Sequence, residues 1–251
     1  CQSNCQVRRF GNMSSFTFEG LAKSTINEVR VEDLLQRDEV KLDLESVKQM
    51  IWGKVVLVTG GAGSIGSELC RQIMHYGARQ LIVFDFDENG LFEIAGELKR
   101  KYSESLFITC LGSIRDREGL DSVFAKYRPH IVFHAAAHKH VPMMESNPRE
   151  AILNNIIGTQ NVAESAVEHG VKRFIQISTD KAVNPSNIMG ATKRVAELII
   201  QQQQARGRTV FAAVRFGNVL GSNGSVVSVF KRQIREGGPL TVTDKEITRY
   251  F

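Results

Sequence analysis

From Lys54 onward, short apolar runs alternate with longer segments in which apolar and polar positions mix. The runs are KVVLVTG, QLIVFD, LFITCLG, HIVFHAAA, RFIQIST and VFAAVRFGN. A near-continuous apolar run fits a strand covered on both faces, as in a parallel sheet flanked by helices. The segments between the runs carry helical spacing and predict helices over 67–76, 89–102, 117–126, 148–169 and 188–206. Together they predict an α/β fold built on a doubly wound parallel sheet. Before Lys54 the pattern weakens. Residues 1–25 read as irregular, polar with scattered Gly and Ser, and 30–51 predicts a short helix or extended arm followed by a helix at 43–50. This divides the chain into an N-terminal arm, 1–50, and an α/β domain, 51–251.

A chain of 251 residues suffices for one large domain. The net charge of +5 is spread out, and its basic clusters, Arg8-Arg9 and Lys99-Arg100-Lys101, are short. They read as solvated faces, which argues against a nucleic-acid partner and supports at most a preference for anionic ligands such as nucleotides. Cys1 and Cys5 lie in the irregular tail and Cys70 and Cys110 in periodic segments, with no zinc-binding spacing. Reduced thiols are expected. His134, His138 and His140 straddle a strand end, and no metal is expected there. No apolar run approaches the roughly 20 residues of a membrane span. The chain opens on Cys1 and stops at Phe251 without a capping element, so we expect a piece of a longer protein, with its C-terminal region truncated.

The stretch VVLVTGGAGSIGSEL joins a strand to a helix start through glycines at Gly60, Gly63 and Gly66. The first permits a tight turn, the second lets the backbone approach a pyrophosphate, and the third lets helix and strand pack closely. Ser64 and Ile65 fall where backbone N–H groups and the helix dipole can meet phosphates. Asp85 closes the second run and can accept hydrogen bonds from ribose hydroxyls; no Arg follows it, which favours NAD over NADP. Ser113 and Ile114 are expected beside an adenine, and Ala135, Ala136 and Ala137 leave room for a cofactor at the end of the fourth strand.

The stretch STDKAVNPSNIMGATKR completes the pattern with Ser178, Thr179, Asp180, Lys181, Met189 and Lys193. With TGGAGSIGSEL, FDFDENGLFEI, HAAAHKHVPMME, NNIIGTQNV and RFGNVLGSNGSVV, it resembles the extended short-chain dehydrogenase/reductase superfamily. It is most similar to that superfamily's UDP-N-acetylglucosamine 4,6-dehydratases of bacterial polysaccharide and glycan biosynthesis. The resemblance covers roughly residues 30 to 251. A short soluble type of this family keeps a Tyr-x-x-x-Lys motif, and a long membrane-anchored type has Met in the Tyr position. Met189-Gly-Ala-Thr-Lys193 matches the long type, and VEDLLQRDEVKLD resembles the linker from its membrane portion.

The resemblance implies tightly bound NAD, a UDP-sugar substrate and a UDP-4-keto-6-deoxy product with configuration retained at C5. It implies that Asp180 is the acid at the C6 hydroxyl, Lys181 the base at C5, and Lys193 a ligand of the nicotinamide ribose beside Ser178. It also places Lys139, Asn218 and Arg249 at the sugar nucleotide. Thr179 is our candidate contact to the C4 hydroxyl, since the thioether of Met189 cannot take a proton. Both Asp180 and Lys181 can reach one sugar only if the backbone turns there, because adjacent strand residues face opposite ways. Ser113 departs from the Asp usual in the family. A homo-oligomer at the cytoplasmic face of the inner membrane is expected for the full-length protein. The alternatives are a nucleotide-sugar 4-epimerase and a non-catalytic NAD-binding module or inactive fragment.

Overall fold

Successive strand residues face opposite sides of a sheet, and the strand Val55–Thr59 buries all five of its residues. Val56 and Val58 enter one core with Ile73, Leu91 and Leu98; Val55 and Leu57 enter another with Phe124, Val162 and Ile200. Such a strand needs helices on both sides. The structure, a computed structural model, describes residues 8–10, 26–28, 43–219, 226–242 and 246.

The chain divides into two compact units, Cys1–Leu42 and Asp43–Phe251. In the first, β1 (Arg8–Phe10) pairs antiparallel with β2 (Ile26–Glu28), Arg8 opposite Glu28. This corrects the irregular reading of residues 1–25 at one point, since three-residue strands are too short to show a period. The arm expected over 30–42 lies outside the described residues.

The second unit opens with α1 (Leu44–Ile51), capped by Asp43, whose carboxylate accepts from Ser46 N at 3.2 Å. Its Ile51 joins the core, so this helix, placed in the arm on sequence grounds, belongs to the second unit. There follow β3 (Val55–Thr59), α2 (Ser64–His75), β4 (Gln80–Asp85), α3 (Glu88–Lys99), β5 (Phe107–Leu111), α4 (Arg117–Tyr127) and β6 (Ile131–His134). Then come α5 (Val141–Ser146), α6 (Pro148–Ala151), a π-helical segment (Ile152–Gly158), α7 (Thr159–Glu168) and β7 (Arg173–Thr179). A 3₁₀ turn (Asp180–Ala182), α8 (Ile188–Gln204), β8 (Val210–Phe216) and α9 (Val226–Arg235) complete the described elements.

The strands form one parallel sheet in the order β5-β4-β3-β6-β7-β8. The six apolar runs are its six strands. Chain order reverses between β3 and β6, which opens a crevice at the carboxyl ends of the strands, where ligands of doubly wound sheets bind.

Two expectations need correction. The helix expected over 148–169 is broken: α6 passes into the π-helical segment before α7 resumes. Thr159 Oγ1 donates back to Asn155 O at 2.7 Å, and Asn154 and Asn155 turn inward instead of joining an apolar stripe. The last strand, expected to be covered on both faces, is open: Val210 is 53% and Val214 46% exposed. Only Phe211 of that strand packs against the buried core, beside Phe174.

Among the described glycines, Gly66 leaves the least room for a side chain, where α2 meets the turn before it. A Cβ on Gly66 would collide with the Gly60 carbonyl oxygen, whereas one on Gly96, on the outside of α3, would meet nothing within 4 Å. We expect Gly66→Ala to cost about 2 kcal/mol or more and Gly96→Ala to stabilise by roughly 0.5–1 kcal/mol, both read by denaturant unfolding. Equal effects of the two substitutions would contradict this packing.

Candidate active site

The glycine turn is stitched to the neighbouring strand. Gly60 N and Gly61 N both donate to Phe84 O, at 2.9 and 3.3 Å, and Ala62 N donates to Asp85 Oδ2 at 2.9 Å. Gly60 has φ of +72°, and a Cβ there would stand 2.5 Å from Ala136 N, so only glycine fits. Gly63 precedes α2, which starts at Ser64, three residues earlier than its sequence pattern indicated. Ser64, Ile65 and Gly66 therefore form its first turn, whose backbone N–H groups and positive dipole end suit a phosphate.

Around this turn lies a cleft of about 210 Å³ lined by Gly60, Gly63, Asp85, Ile114 and Ala135 to Ala137, with Phe86, His138 and Asn154 among the remaining walls. Seven residues expected at a dinucleotide thus meet in one place. Asp85 is 8% exposed and also accepts from Asp87 N at 3.1 Å, which holds its carboxylate at the cleft wall. Ser113 is not among the lining residues; its hydroxyl accepts from Arg115 N at 3.2 Å and shapes the turn beside Ile114. A larger hollow of about 660 Å³ lies between α2 and α3, and Ser64 is the one candidate that borders it. The bed that remains is narrow, free of side-chain bulk at Gly60, and flanked by a helix N-terminus and a buried acid. These features fit a dinucleotide.

The reactive residues come together where β7 ends. The backbone turns at Asp180–Ala182, where the side chains of Asp180 and Lys181 would need it to turn in order to reach one sugar. Thr179 Oγ1 donates to Asp180 Oδ1 at 2.8 Å and accepts from Lys181 N at 3.3 Å. Lys181 Nζ pairs with Asp180 Oδ1 at 3.0 Å. Burial works to raise the Asp180 carboxyl, yet hydrogen bonds from Thr179 and Lys181 hold it below the usual range. Both partners stay open, 49% for Asp180 and 37% for Lys181.

Behind them α8 carries Lys193, buried, with its Nζ donating to Ile177 O at 2.6 Å. Burial lowers it to about 8, and Glu197 opposes that drop. Glu197 lies one turn further on. It accepts from Ser178 Oγ at 2.6 Å and Arg194 at 3.1 Å, and from Arg215 Nε at 2.8 Å. Hydrogen bonding from Arg215 leads in pulling it to about 2, against the pull of burial.

Met189 is buried in a small core with Met144 and Ala151. Asn155 ties the π-helical segment to two neighbours. It exchanges hydrogen bonds with the His138 backbone, at 2.8 and 3.0 Å, and donates to Thr192 Oγ1 at 3.1 Å. The ring of His134 is held between Thr59 Oγ1, at 2.7 Å, and Thr159 Oγ1, at 2.9 Å. Burial drives it to about 3, so it stays neutral. Among the described residues, no three His, Cys, Asp or Glu are placed to hold a metal.

Lys139 is exposed in the loop after β6, and Asn218 is half-buried after β8; Arg249 lies outside the described residues. Sequence reasoning missed Glu197 and Asn155. Each left a trace, an acid in the buried stripe with Ala196 and Ile200, and an amide pair inside an apolar helical run.

A glycine-cradled cleft, an acid closing the second strand of the sheet and a buried lysine behind the fifth define an extended short-chain dehydrogenase/reductase fold. Residues 56–251 match the family described as polysaccharide biosynthesis protein, and the chain belongs to that family. It is 51% identical over 233 residues to the capsular polysaccharide biosynthesis protein CapD of Staphylococcus aureus, covering 92% of this chain and 39% of that protein. It is 40% identical over 207 residues to an inverting UDP-N-acetylglucosamine 4,6-dehydratase of Campylobacter jejuni, covering 80% and 60%. A UDP-glucose 4-epimerase of Rickettsia rickettsii is 36% identical over 209 residues, with the same coverage. Among solved structures, Pen from Bacillus thuringiensis matches with a TM-score of 0.75 at 37% identity, over 80% of this chain and 63% of that one. A Thermus thermophilus UDP-glucose 4-epimerase solved with NAD matches at 0.65 and 25% identity, over 74% and 64%. The chain spans less than two thirds of the length of each of these proteins. Among the described residues, no helix is long and apolar enough to cross a membrane.

Lys193 gives a test of the site's electrostatics. The unfolded chain holds the Lys193 proton more tightly than the folded one. Its buried charge therefore costs stability below about pH 8, and the cost fades as pH rises toward the ordinary value of 10.5. We expect Lys193→Met to stabilise the protein at pH 7 by roughly 1–3 kcal/mol, a gain that shrinks above about pH 8. Denaturant unfolding across pH reads it, and destabilisation at pH 7 would contradict it.

Proposed function

We propose that this chain is the catalytic part of an NAD-dependent 4,6-dehydratase acting on a UDP-N-acetylhexosamine. The observation that carries this is the Thr179–Asp180–Lys181 cluster at the carboxyl end of β7, with Asp180 and Lys181 open to solvent and Met189 packed in a small core. An epimerase needs only to move hydrogen at C4. A dehydratase needs, in addition, a base at C5 and an acid at C6, and an adjacent carboxyl–amine pair supplies both.

Gly60, Gly63, the first turn of α2 and Asp85 would hold the pyrophosphate and adenosine ribose, and Lys193, beside Ser178, the nicotinamide ribose. When bound, the dinucleotide accepts a hydride from sugar C4 and returns it to C6. The protein moves the protons. At rest Asp180 is ionised and paired to Lys181, the reverse of what elimination requires. One proton crossing the 3.0 Å hydrogen bond from Lys181 Nζ to Asp180 Oδ1 creates acid and base together. A sugar that displaces water favours this step, because a neutral pair is easier to desolvate than two ions. Lys181 then takes the C5 proton while Asp180 protonates the departing C6 hydroxyl. Thr179 Oγ1 contacts the C4 hydroxyl and passes its proton on through water. Lys139, Asn218 and Arg249 are proposed for the sugar nucleotide. Membrane anchoring and homo-oligomerisation belong to the full-length protein in this reading.

The epimerase named among the relatives keeps a second reading alive. Full-length protein incubated with UDP-N-acetylglucosamine and NAD separates them by mass. A product lighter by one water supports the dehydratase, an isomer of unchanged mass supports the epimerase, and cofactor binding without turnover supports a non-catalytic module. Asp180→Asn and Lys181→Met are each expected to slow water loss by about 10²-fold or more while NAD still binds. Undiminished turnover in both would remove the pair from the mechanism.

A further inference from the structure

Three elements meet at one buried carboxylate. Glu197, on α8, holds Ser178 at the end of β7, Arg194 on its own helix and Arg215 on β8. Ser178 and Arg215 are register partners across the two strands, so both ends of the carboxylate grip the same rung of the sheet. Thr179, Asp180 and Lys181 follow immediately. Lys193 precedes Glu197 by one turn on the same helix face, and residues so spaced are neighbours. Arg215 opens the quoted stretch RFGNVLGSNGSVV, but neither it nor Glu197 was assigned a role there.

We propose that Glu197 is a positioning residue of the active site, anchoring the strand end before the Asp180–Lys181 pair through Ser178 and Arg215 while supplying the counter-charge of buried Lys193. The inference rests on the reading of Lys193 as a dinucleotide ligand. Around Lys193, β6 offers His134, neutral between two threonines. The turn after β7 offers Asp180 and Lys181, which pair with each other. Glu145 on α5 accepts from Ile188 N at the start of α8. The acids of α6 and α7, the other helices beside α8, are engaged elsewhere, Glu150 with Arg115 and both Glu164 and Glu168 with Arg117. That leaves Glu197 as the recorded counter-charge, tempered by Arg215.

This arrangement makes two opposite forecasts. Glu197→Gln keeps the shape but removes the negative charge, so Lys193 loses its proton more readily. Arg215→Gln leaves Glu197 charged and less neutralised, so Lys193 holds its proton more firmly. Loss of a merely structural brace would move both variants the same way. The direct readout is ¹³C NMR of lysine Cε in the full chain, with the Lys193 signal identified by its loss in Lys193→Met. We expect its titration midpoint to move down by about one pH unit in Glu197→Gln and up in Arg215→Gln. Calorimetric titration with NAD is expected to follow, Glu197→Gln weakening binding about fivefold at pH 8 with little change at pH 6. Midpoints that stay put, or that move in the same direction in both variants, overturn the proposal even if NAD binds. Failure of the wild-type protein to bind NAD instead overturns the cofactor reading on which the role of Lys193 rests, while the NMR titration still decides whether Glu197 sets its charge.

Discussion

An ammonium group buried at Lys193 is the constraint on which the junction of α8 with the neighbouring strands depends. A charge removed from water is costly unless nearby groups compensate. Compensation comes from the Ile177 carbonyl on β7 and from Glu197 on the same helix. Glu197 in turn draws in Ser178 and Arg215, so the last two strands and α8 are locked together by the same need. The helix is held on its other side by Asn155, whose amide reaches Thr192 from the π-helical segment. An irregular stretch of helix at such a place is a common mark of a functional site.

The cleft divides its tasks by depth. Its floor is built from strands and glycines whose value lies in what they lack, since a Cβ at Gly60 would close the approach to Ala136. Its wall carries Asp85, buried and fixed by backbone partners, and Lys193 is buried and held by a backbone carbonyl behind β7. Asp180 and Lys181, at the carboxyl end of β7, stay open to solvent. The buried groups are fixed by their partners, and the accessible ion pair is held at 3.0 Å. Buried charge that weakens the fold at neutral pH is tolerated where it serves the site.

The fold was legible because the inner strands, covered on both faces, read as unbroken apolar runs and the edge strands kept the same composition, so all six runs became strands in register. The glycine turn and Asp85 were legible because their spacing is set by local geometry. Other features depend on contacts distant in sequence. The π-helical break comes from Asn155 reaching the His138 backbone and Thr192, and no periodicity within 148–169 announces it. The openness of β8 follows from what packs on it, and its composition gave no sign of that. Glu197 needed both Ser178 and Arg215 in place before its role could be seen.

The central claim is that Asp180 and Lys181 carry out an elimination across C5 and C6. Turnover in heavy water tests it most directly, because elimination breaks the C5–H bond and a solvent hydrogen takes its place. The account predicts a dehydrated sugar nucleotide with one solvent deuteron at C5. A sugar nucleotide recovered at the substrate's mass, epimerised at C4 and free of deuterium on carbon, would contradict it.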